Sequence, residues 1–321
     1  MSNSNAIELT GVTKRFRNQT AVDRLDLTVP TGSIYGFIGP NGSGKTTTLR
    51  MILRIFPPDE GTVSVLGQIQ GKTADDRLGY LPEERGLYKR MKVRSLLNYY
   101  ARLKGHYDCK DDIERWLTRL DASSWADKRI DALSKGMAQK IQFISAVVAR
   151  PQLVILDEPF SGLDPVNLEV LRDAVFELRQ AGTTVIFSTH DMDVAEKMCD
   201  TIFMIFKGRK VLDGTLEDIQ SQYPADRVRI RFASPETQMP EISGITDIEH
   251  QKPFHEFRME DPSRSQAILR SLSDAAELSH FEIIRPSLHE IFVRIANPYS
   301  DDVGTGENVI DSVTPPNSTP V

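Results

Sequence analysis

Gly39-Pro40-Asn41-Gly42-Ser43-Gly44-Lys45-Thr46 is the stretch that decides the fold of this chain, and it has the spacing G-x-x-x-x-G-K-T. Glycines at this spacing let several backbone N–H groups turn towards a phosphate. The apolar run Ile34-Tyr-Gly-Phe-Ile38 precedes the loop, and a helical pattern over Thr47 to Phe56 follows it. A glycine-rich turn that matched this spacing by chance would not be expected to have a strand pattern before it and a helical pattern after it. The sequence therefore predicts a strand, a phosphate loop and a helix that together bind a nucleoside triphosphate.

Single residues of the loop have separate predicted roles. Lys45 is placed to reach the β- and γ-phosphates, and the Thr46 hydroxyl is placed to bind Mg²⁺. The loop leads into the positive end of a helix dipole, which favours a bound phosphate. The candidate nucleotide site therefore runs from Gly39 to Thr47.

Composition limits the classes of function. The 321 residues are 40% hydrophobic and 26% charged, which is typical of a soluble chain with one large and one small domain. A net charge of -6 argues against broad binding to nucleic acid. No apolar run approaches the roughly 18 residues of a membrane span, and the first residues lack a signal-peptide core. With only Cys109 and Cys199, neither a disulfide nor a zinc site is expected, and a reducing cytoplasm fits.

Changes of pattern along the chain predict three parts. Residues 1–222 are expected to form the nucleotide-binding domain, with a β-rich beginning and a helical subdomain inserted at about 87–148. Residues 225–296 are expected to form a small α+β domain. Residues 297–321, rich in Pro, Ser, Thr, Asn and Asp, are expected to be disordered.

Two carboxylates follow a short apolar run in Pro151-Gln-Leu-Val-Ile-Leu-Asp157-Glu158-Pro159. This run and the one at Thr184 to Ser188 are typical of parallel strands in a sheet covered on both faces. An Asp-Glu pair after a strand is usually a solvated turn. With a phosphate loop upstream, we interpret Asp157 as a ligand of Mg²⁺ and Glu158 as the group that polarises the water attacking the γ-phosphate.

Three further segments complete an ordered set: Leu133-Ser-Lys-Gly-Met137 before a long helical run, Ser161-Gly-Leu-Asp164, and Thr189-His190-Asp191. By itself, a Ser at the start of a helix is a common N-cap. Taken together and in this order, the five motifs are similar to those of the nucleotide-binding subunits of ABC transporters. The resemblance covers about Ile7 to Thr215. It implies a P-loop NTPase of ABC type, an α/β fold with a mixed sheet core, an antiparallel β section and the inserted helical subdomain.

The resemblance also implies roles in a site shared by two subunits. Ser134 and the backbone of Gly136 would face the γ-phosphate of ATP held by a second ABC subunit, in a homodimer. His190 would be the switch histidine near the γ-phosphate. Phe16 matches the aromatic residue that stacks on adenine, although a Phe at such a place is as often a core residue.

The sequence differs from the family pattern in two segments that are expected to lie close to the bound phosphates. Glu83 occupies the place where the family usually has Gln, and Lys135 and Met137 replace the commoner Gly and Gln. A carboxylate can still bind Mg²⁺ directly or through water, so Glu83 is kept as a candidate metal ligand. It also adds negative charge beside phosphates that already carry much of it.

The segments Pro82-Glu-Glu-Arg-Gly-Leu-Tyr88 and Arg285-Pro-Ser-Leu-His-Glu-Ile-Phe292 look like those of bacterial sodium-extrusion and drug-resistance ABC exporters. The resemblance implies an ATPase, peripheral on the inner face of the cell membrane, that powers export through a separate membrane-spanning permease. A helix of the permease would dock on Glu83 to Met91. For any one residue there, such as Leu87 or Tyr88, sealing the interface between lobes is an equal alternative.

The alternative function is a soluble ABC ATPase that acts on a non-membrane target such as the ribosome. Such proteins typically fuse two ABC units or insert a long coiled coil, and this chain has neither feature. No binding of nucleic acid is expected. The transported substrate cannot be inferred, because in this architecture the permease holds the translocation path.

Two patterns belong to the small domain. Ser287-Leu-His-Glu290 is a capping box before apolar residues at helical spacing, and it predicts a short amphipathic helix that closes this domain. Arg227-Val-Arg-Ile-Arg231 alternates charged and apolar residues. We interpret it as a strand with a solvated face rather than a contact for lipid headgroups or nucleic acid.

Overall fold

The computed structural model of the protein describes residues 5–17, 19–69, 75–84, 86–251 and 253–296. The predicted disordered tail, 297–321, lies outside these residues. Within them, the chain forms three β-sheets with helices packed around them. The predicted α/β class with a mixed central sheet and an antiparallel section is confirmed.

The elements are numbered in chain order. The strands are β1 Asn5–Phe16, β2 Gln19–Pro30, β3 Ile34–Ile38, β4 Glu60–Val65, β5 Gln68–Ile69, β6 Leu78–Leu81, β7 Leu153–Asp157, β8 Thr184–Thr189, β9 Thr201–Phe206, β10 Arg209–Gly214, β11 Arg227–Phe232, β12 Ile245–Gln251, β13 Phe254–Met259 and β14 Leu278–Ile284. The α-helices are α1 Lys45–Ile52, α2 Val93–Leu103, α3 Lys110–Arg119, α4 Lys135–Val147, α5 Pro165–Gln180, α6 Met192–Met198, α7 Leu216–Ser221, α8 Ser265–Ala275 and α9 Leu288–Ala296.

The central sheet has the strand order β10-β9-β3-β8-β7-β6. All neighbours in it are parallel except β10, which pairs antiparallel with β9. Strands β3, β7 and β8 are buried along their whole length, as expected for strands covered on both faces. Ile38 pairs with Thr189, and Asp157 pairs with Ser188. The carboxyl ends of three neighbouring strands therefore meet at one edge, where ligands bind in such sheets.

The helix after the phosphate loop differs from the prediction at both ends. The sequence pattern predicts a helix from Thr47 to Phe56, whereas α1 begins at Lys45 and ends at Ile52. It ends early because the backbone at Arg54 is left-handed, with φ of 59°, and Pro57 follows shortly. Phe56 nevertheless packs against the core, which is why the apolar pattern runs past the end of the helix.

Helices α2, α3 and α4 lie in sequence between β6 and β7 and share one apolar core. Trp116 of α3 is fully buried and packs edge-on against Phe143 of α4, with ring centroids 5.8 Å apart. Leu103 is 60% exposed, although it continues the apolar helical spacing of α2. Leu103 is the last residue of α2, immediately before the chain turns at Gly105 with φ of 74°. In the described part of the chain, no helix has the length and apolar character of a membrane span.

The C-terminal region contains an antiparallel sheet of order β12-β13-β11-β14, and α8 packs against it. Two of the three arginines of β11 are ion-paired rather than merely solvated. Arg229 contacts the buried carboxylate of Glu256 at 2.7 Å, and Arg227 contacts both Glu256 and Glu290. The solvated strand face inferred from the alternating pattern is therefore only partly correct.

The last helix, α9, does not close the small domain. Its capping box is present: Ser287 N–H donates to Glu290 Oε2 at 2.9 Å, and Glu290 N–H donates to Ser287 Oγ at 3.2 Å. However, Leu288 and Ile291 are fully buried in a cluster with α6, β9, β10 and α7, which belong to the first part of the chain. The capping pattern predicts where a helix begins, but not which surface its apolar face covers.

Candidate active site

A cavity of about 240 Å³ lies over the phosphate loop. Its walls come from the loop, from the segment after β6 and from the end of β7: Pro40, Asn41, Gly42, Ser43, Lys45, Thr46, Glu83 and Glu158. Residues far apart in sequence therefore meet around one pocket. Thr47 lies one residue further along α1 and is half-buried.

Two glycines shape the loop. Gly39 has φ of 152°, and a Cβ placed there would lie 2.3 Å from the Ile205 carbonyl oxygen. Gly44, the N-cap of α1, has φ of 113°, and its Cβ would lie 2.7 Å from the Ala21 carbonyl oxygen. Both positions combine a backbone conformation that favours glycine with a close approach of another backbone. The loop can therefore curl tightly and direct its N–H groups into the cavity.

The Lys45 side chain is buried beneath the loop. Its Nζ donates hydrogen bonds to the carbonyl oxygens of Gly39, at 2.5 Å, and Pro40, at 3.3 Å, and lies 3.9 Å from Glu158 Oε1. Burial lowers the pKa of Lys45, and the negative charges of Glu158, Asp157 and Glu83 oppose that shift. The Lys45 ammonium group is thus held under the loop by carbonyl oxygens and nearby acids. An anionic ligand in the cavity would contact it there.

Glu158 follows the end of β7 with a strained backbone, since its φ is 50°. A left-handed conformation costs a residue other than glycine about 1–2 kcal/mol. The Glu158 N–H donates to Ser188 Oγ at 2.9 Å, and both carboxylate oxygens lie 3.1 Å from His190 Nδ1. Burial raises the pKa of Glu158, while His190 and Lys45 oppose the shift. Its environment therefore favours proton uptake compared with an exposed glutamate.

Ser188 is a site residue that the sequence patterns did not single out. Its hydroxyl donates to Asp157 Oδ1 at 2.5 Å and accepts the Glu158 N–H, so it links the Asp157 carboxylate and the Glu158 backbone to β8. The signal that could have found Ser188 is its position in the sequence relative to Thr189 and Asp157. Once β7 and β8 are taken as parallel neighbours, the residue before Thr189 lies beside Asp157.

Replacing Ser188 with Ala is expected to lower the free energy of unfolding by about 1–3 kcal/mol, because a buried carboxylate oxygen and a backbone N–H lose their partner. Urea denaturation of both proteins measures this change. Ser273 is exposed on α8, so Ser273→Ala is the matched control and should leave stability nearly unchanged. Equal stability of Ser188→Ala and the wild type would contradict the positioning of Asp157 by Ser188.

Two buried oxygens at the site have no hydrogen-bond partner among the described residues. They are Asp157 Oδ2 and Ser43 Oγ. Buried polar atoms are normally satisfied, so such atoms indicate a bound group or water. Carboxylate and hydroxyl oxygens are the donors that Mg²⁺ prefers, and the hydroxyl of Thr46 and the carboxylate of Glu83 line the same cavity. The residues present therefore fit a magnesium nucleotide.

His190 lies between the end of β8 and the start of α6. Its ring contacts Glu158, yet its side chain is 57% exposed at the mouth of the site. The next residue, Asp191, caps α6 by accepting the Val194 N–H at 3.2 Å. The position of the imidazole is therefore tied to the position of α6.

The structure does not bring every candidate residue to the cavity of its own chain. Ser134 is the N-cap of α4 and accepts the Met137 N–H at 3.3 Å, and neither it nor Gly136 lines the cavity. The Lys135 amine lies close to Gly162 of the same chain. Phe16, 46% exposed, packs edge-on against Phe56 at 5.6 Å. The Phe16 side chain is therefore only partly enclosed by its neighbours.

The sequence matches two family models, the ABC transporter family over residues 22–161 and the C-terminal domain of DrrA1-3-like ATP-binding proteins over residues 214–296. The ABC transporter ATP-binding protein YhaQ of Bacillus subtilis is 40% identical over 88% of this chain and 95% of its own length. The chain belongs to the ATP-binding proteins of ABC transporters. It therefore binds and hydrolyses ATP, and it carries a DrrA-like C-terminal domain.

Other members of the ABC family are also similar along most of their length. The daunorubicin/doxorubicin resistance ATP-binding protein DrrA of Streptomyces peucetius is 32% identical over 94% of this chain and 96% of its own. The Nod factor export ATP-binding protein I of Sinorhizobium fredii is 31% identical over 90% and 85%. A solved ATP-binding subunit of an ABC transporter, 28% identical, superposes on 68% of this chain and 92% of its own with a TM-score of 0.64. These comparisons do not support the ribosomal alternative.

Proposed function

We propose that this ABC protein is the motor subunit of an exporter and that two copies of it drive a separate membrane-spanning permease. The similarity to proteins named for drug resistance and Nod factor export supports the direction of transport. ABC ATP-binding subunits work as dimers with membrane permease components. The chain would then lie in the cytoplasm, against the inner face of the membrane, through its permease.

The observation that carries this proposal is that Glu158, in the wall of the cavity, lies 3.9 Å from Lys45 and 3.1 Å from His190. Lys45 and the loop N–H groups would bind the β- and γ-phosphates of ATP. Glu158 would accept a proton from the attacking water, and His190 would hold the carboxylate in place.

Thr46 and Asp157, with Glu83 close by, would hold Mg²⁺. Bound there, the ion supplies positive charge that offsets the charge of the phosphates. Ser188 orients Asp157 from β8.

The exposed N-terminus of α4 supports a site completed by a second subunit. Ser134 is exposed, and the first N–H groups of α4 lie at the positive end of the helix dipole. Ser134 and Gly136 would thus contact the γ-phosphate bound by the partner copy, a contact that closes the dimer around ATP. Phe16 would stack on the adenine from the end of β1. Hydrolysis removes the shared phosphate, so the dimer reopens.

An exposed aromatic cluster supports docking of the permease on the helical segment. Tyr88 and Tyr99 are about half exposed, and their ring centroids lie 5.8 Å apart. Tyr100 packs against Tyr99 at 5.6 Å and joins the cluster to the core. Together with Leu87, this cluster would receive a cytoplasmic helix of the permease. The proposed domains are 1–222, with the helical subdomain at about 87–148, and 225–296.

Purification from detergent-solubilised membranes tests the exporter function. The wild-type chain is expected to bring down a membrane-spanning permease, because it provides the motor but no membrane span of its own among the described residues. Tyr88→Ala/Tyr99→Ala should lose this partner while keeping ATP binding. Tyr107, which is 70% exposed and also lies in the helical segment, provides the control variant Tyr107→Ala. Recovery of ribosomal components without any membrane protein would refute the exporter function.

The raised pKa of Glu158 gives a pH dependence of hydrolysis. A base must be deprotonated to act, so activity should fall as pH falls through the pKa of Glu158. Because burial raises this pKa, the acid limb should lie above the value of about 4.3 for an exposed glutamate. Measuring kcat/KM against pH locates the limb, because this ratio reports the ionisations of the free protein, and ATP affinity over the same range is the control. A limb at or below the ordinary glutamate value would contradict the assignment.

A further inference from the structure

The C-terminal helix α9 packs on the helix that follows His190. Leu288 and Ile291 are fully buried in one apolar cluster with Met192 and Ala195 of α6. The same cluster contains Ile38, the residue directly before the phosphate loop. A polar contact accompanies the packing, since the Leu288 N–H donates to Glu196 Oε1 at 2.5 Å. This carboxylate of α6 thus satisfies one of the free N–H groups at the start of α9.

Contacts on both sides hold α9 in this place. The turn before it is anchored by Gln220 Nε2 of α7, which donates to the Pro286 carbonyl oxygen at 2.9 Å. Further along, Phe292 packs edge-on against Phe206 of β9, with ring centroids 5.7 Å apart. These contacts are separate from the core of the small domain, which is formed by β11, β13 and α8. The helix therefore packs on the nucleotide-binding domain, although it comes last in the described chain.

An ion pair joins α9 to the small domain. Glu290, the acid of the capping box, also binds Arg227 of β11. Arg227 lies 3.7 Å from Glu256, which is buried in β13 and also binds Arg229. The side chains of the small-domain sheet thus contact α9, and α9 in turn packs on α6. Only Asp191 separates His190 from the first residue of α6.

We propose that α9 positions His190: Leu288 and Ile291, with Glu196, hold α6 so that the imidazole stays against the Glu158 carboxylate. The inference rests on the function proposed above for His190. It assigns a task to the DrrA-like C-terminal domain, which reaches the hydrolysis site through α9. Asp191 caps α6 directly after His190, so movement of α6 changes the distance of 3.1 Å between His190 and Glu158. The hydrogen bonds of Lys45 are to the loop carbonyl oxygens of Gly39 and Pro40 and involve no residue of α6.

A double-mutant cycle on the full-length chain tests the proposal. Leu288→Ala is expected to lower kcat of ATP hydrolysis by roughly 2- to 30-fold, the range seen when coupling between sites is disturbed. ATP affinity should stay unchanged, and Leu288→Met should restore kcat because it keeps the buried volume. Val293 is 41% exposed on the same helix, so Val293→Ala is the control that keeps wild-type kcat. In the His190→Ala background, Leu288→Ala should cause no further loss.

Each outcome of the cycle is decisive. If the losses of Leu288→Ala and His190→Ala multiply, or if Leu288→Ala leaves kcat unchanged, α9 does not act through His190. If His190→Ala alone retains full activity, the proposed role of His190 fails instead. Should Leu288→Ala fail to fold, Glu196→Met provides the same test, because it keeps a side chain of similar length but removes the oxygen that accepts the Leu288 N–H. Its kcat should fall in the wild-type background and not in the His190→Ala background.

Discussion

Replacing Glu158 with Gln is expected to lower the rate of ATP hydrolysis by about 10²- to 10⁴-fold, the usual contribution of a general base. The amide keeps the shape of the side chain and its neighbours, Ser188 and His190, but it cannot accept the proton of the attacking water. ATP binding should persist, because the contacts of Lys45 and the loop remain. Without hydrolysis, ATP should stay between two subunits, and the variant should be recovered as a dimer.

Phosphate release and light scattering measure the two parts of this prediction. Glu236 is exposed in the loop after β11, so Glu236→Gln is a matched control that should hydrolyse ATP at the wild-type rate. Brisk turnover by Glu158→Gln would show that another group accepts the proton. A variant that neither turns over nor binds ATP would instead point to damage of the loop.

Replacing Lys45 with Ala is expected to weaken ATP binding by about 10- to 150-fold, because hydrogen bonds to charged groups contribute about 1.5–3 kcal/mol. Lys45 is buried, and its ammonium group is held under the loop by two carbonyl oxygens. Without it, one cation fewer offsets the negative charges that surround the phosphates, which include Asp157, Glu158 and Glu83. Hydrolysis should be lost together with binding.

Isothermal titration with ATP measures this loss, and Glu158→Gln is the informative comparison because it should bind normally. Lys128 is exposed in the helical segment, so Lys128→Ala is the control for removal of a lysine. Thermal unfolding of each variant separates loss of binding from loss of folding. Wild-type affinity in a folded Lys45→Ala protein would contradict the phosphate-binding role.

Local sequence patterns were sufficient for the phosphate loop and its strands. The loop from Gly39 to Thr46 lies between a buried strand and a helix as predicted, since a strand-glycine-helix pattern depends on residues that are neighbours along the chain. The end of α1 was misplaced because Leu53 and Phe56 are apolar for a packing reason, not a helical one. Apolar spacing reports which side chains are buried, and burial continues past the last helical hydrogen bond.

Other features of the site and of the fold could be assigned only from the tertiary structure. Ser188 is unremarkable in sequence, and only the pairing of β7 with β8 places its hydroxyl between Asp157 and the Glu158 N–H. Arg227 and Arg229 of β11 were assigned to a solvated face because their partner Glu256 lies on another strand. In both cases the partners are distant in sequence, so no local pattern contains them.

By itself, the sequence determined the phosphate loop, the acidic pair and the family to which the chain belongs, because each depends on short motifs in a fixed order. The tertiary structure alone decided how these motifs meet. It placed His190 on Glu158, and it placed α9 against α6 rather than on the small domain. The sequence of an amphipathic helix shows that its apolar face must be buried, but not which surface will cover that face. The covering surface depends on which complementary apolar surface the rest of the folded chain leaves exposed.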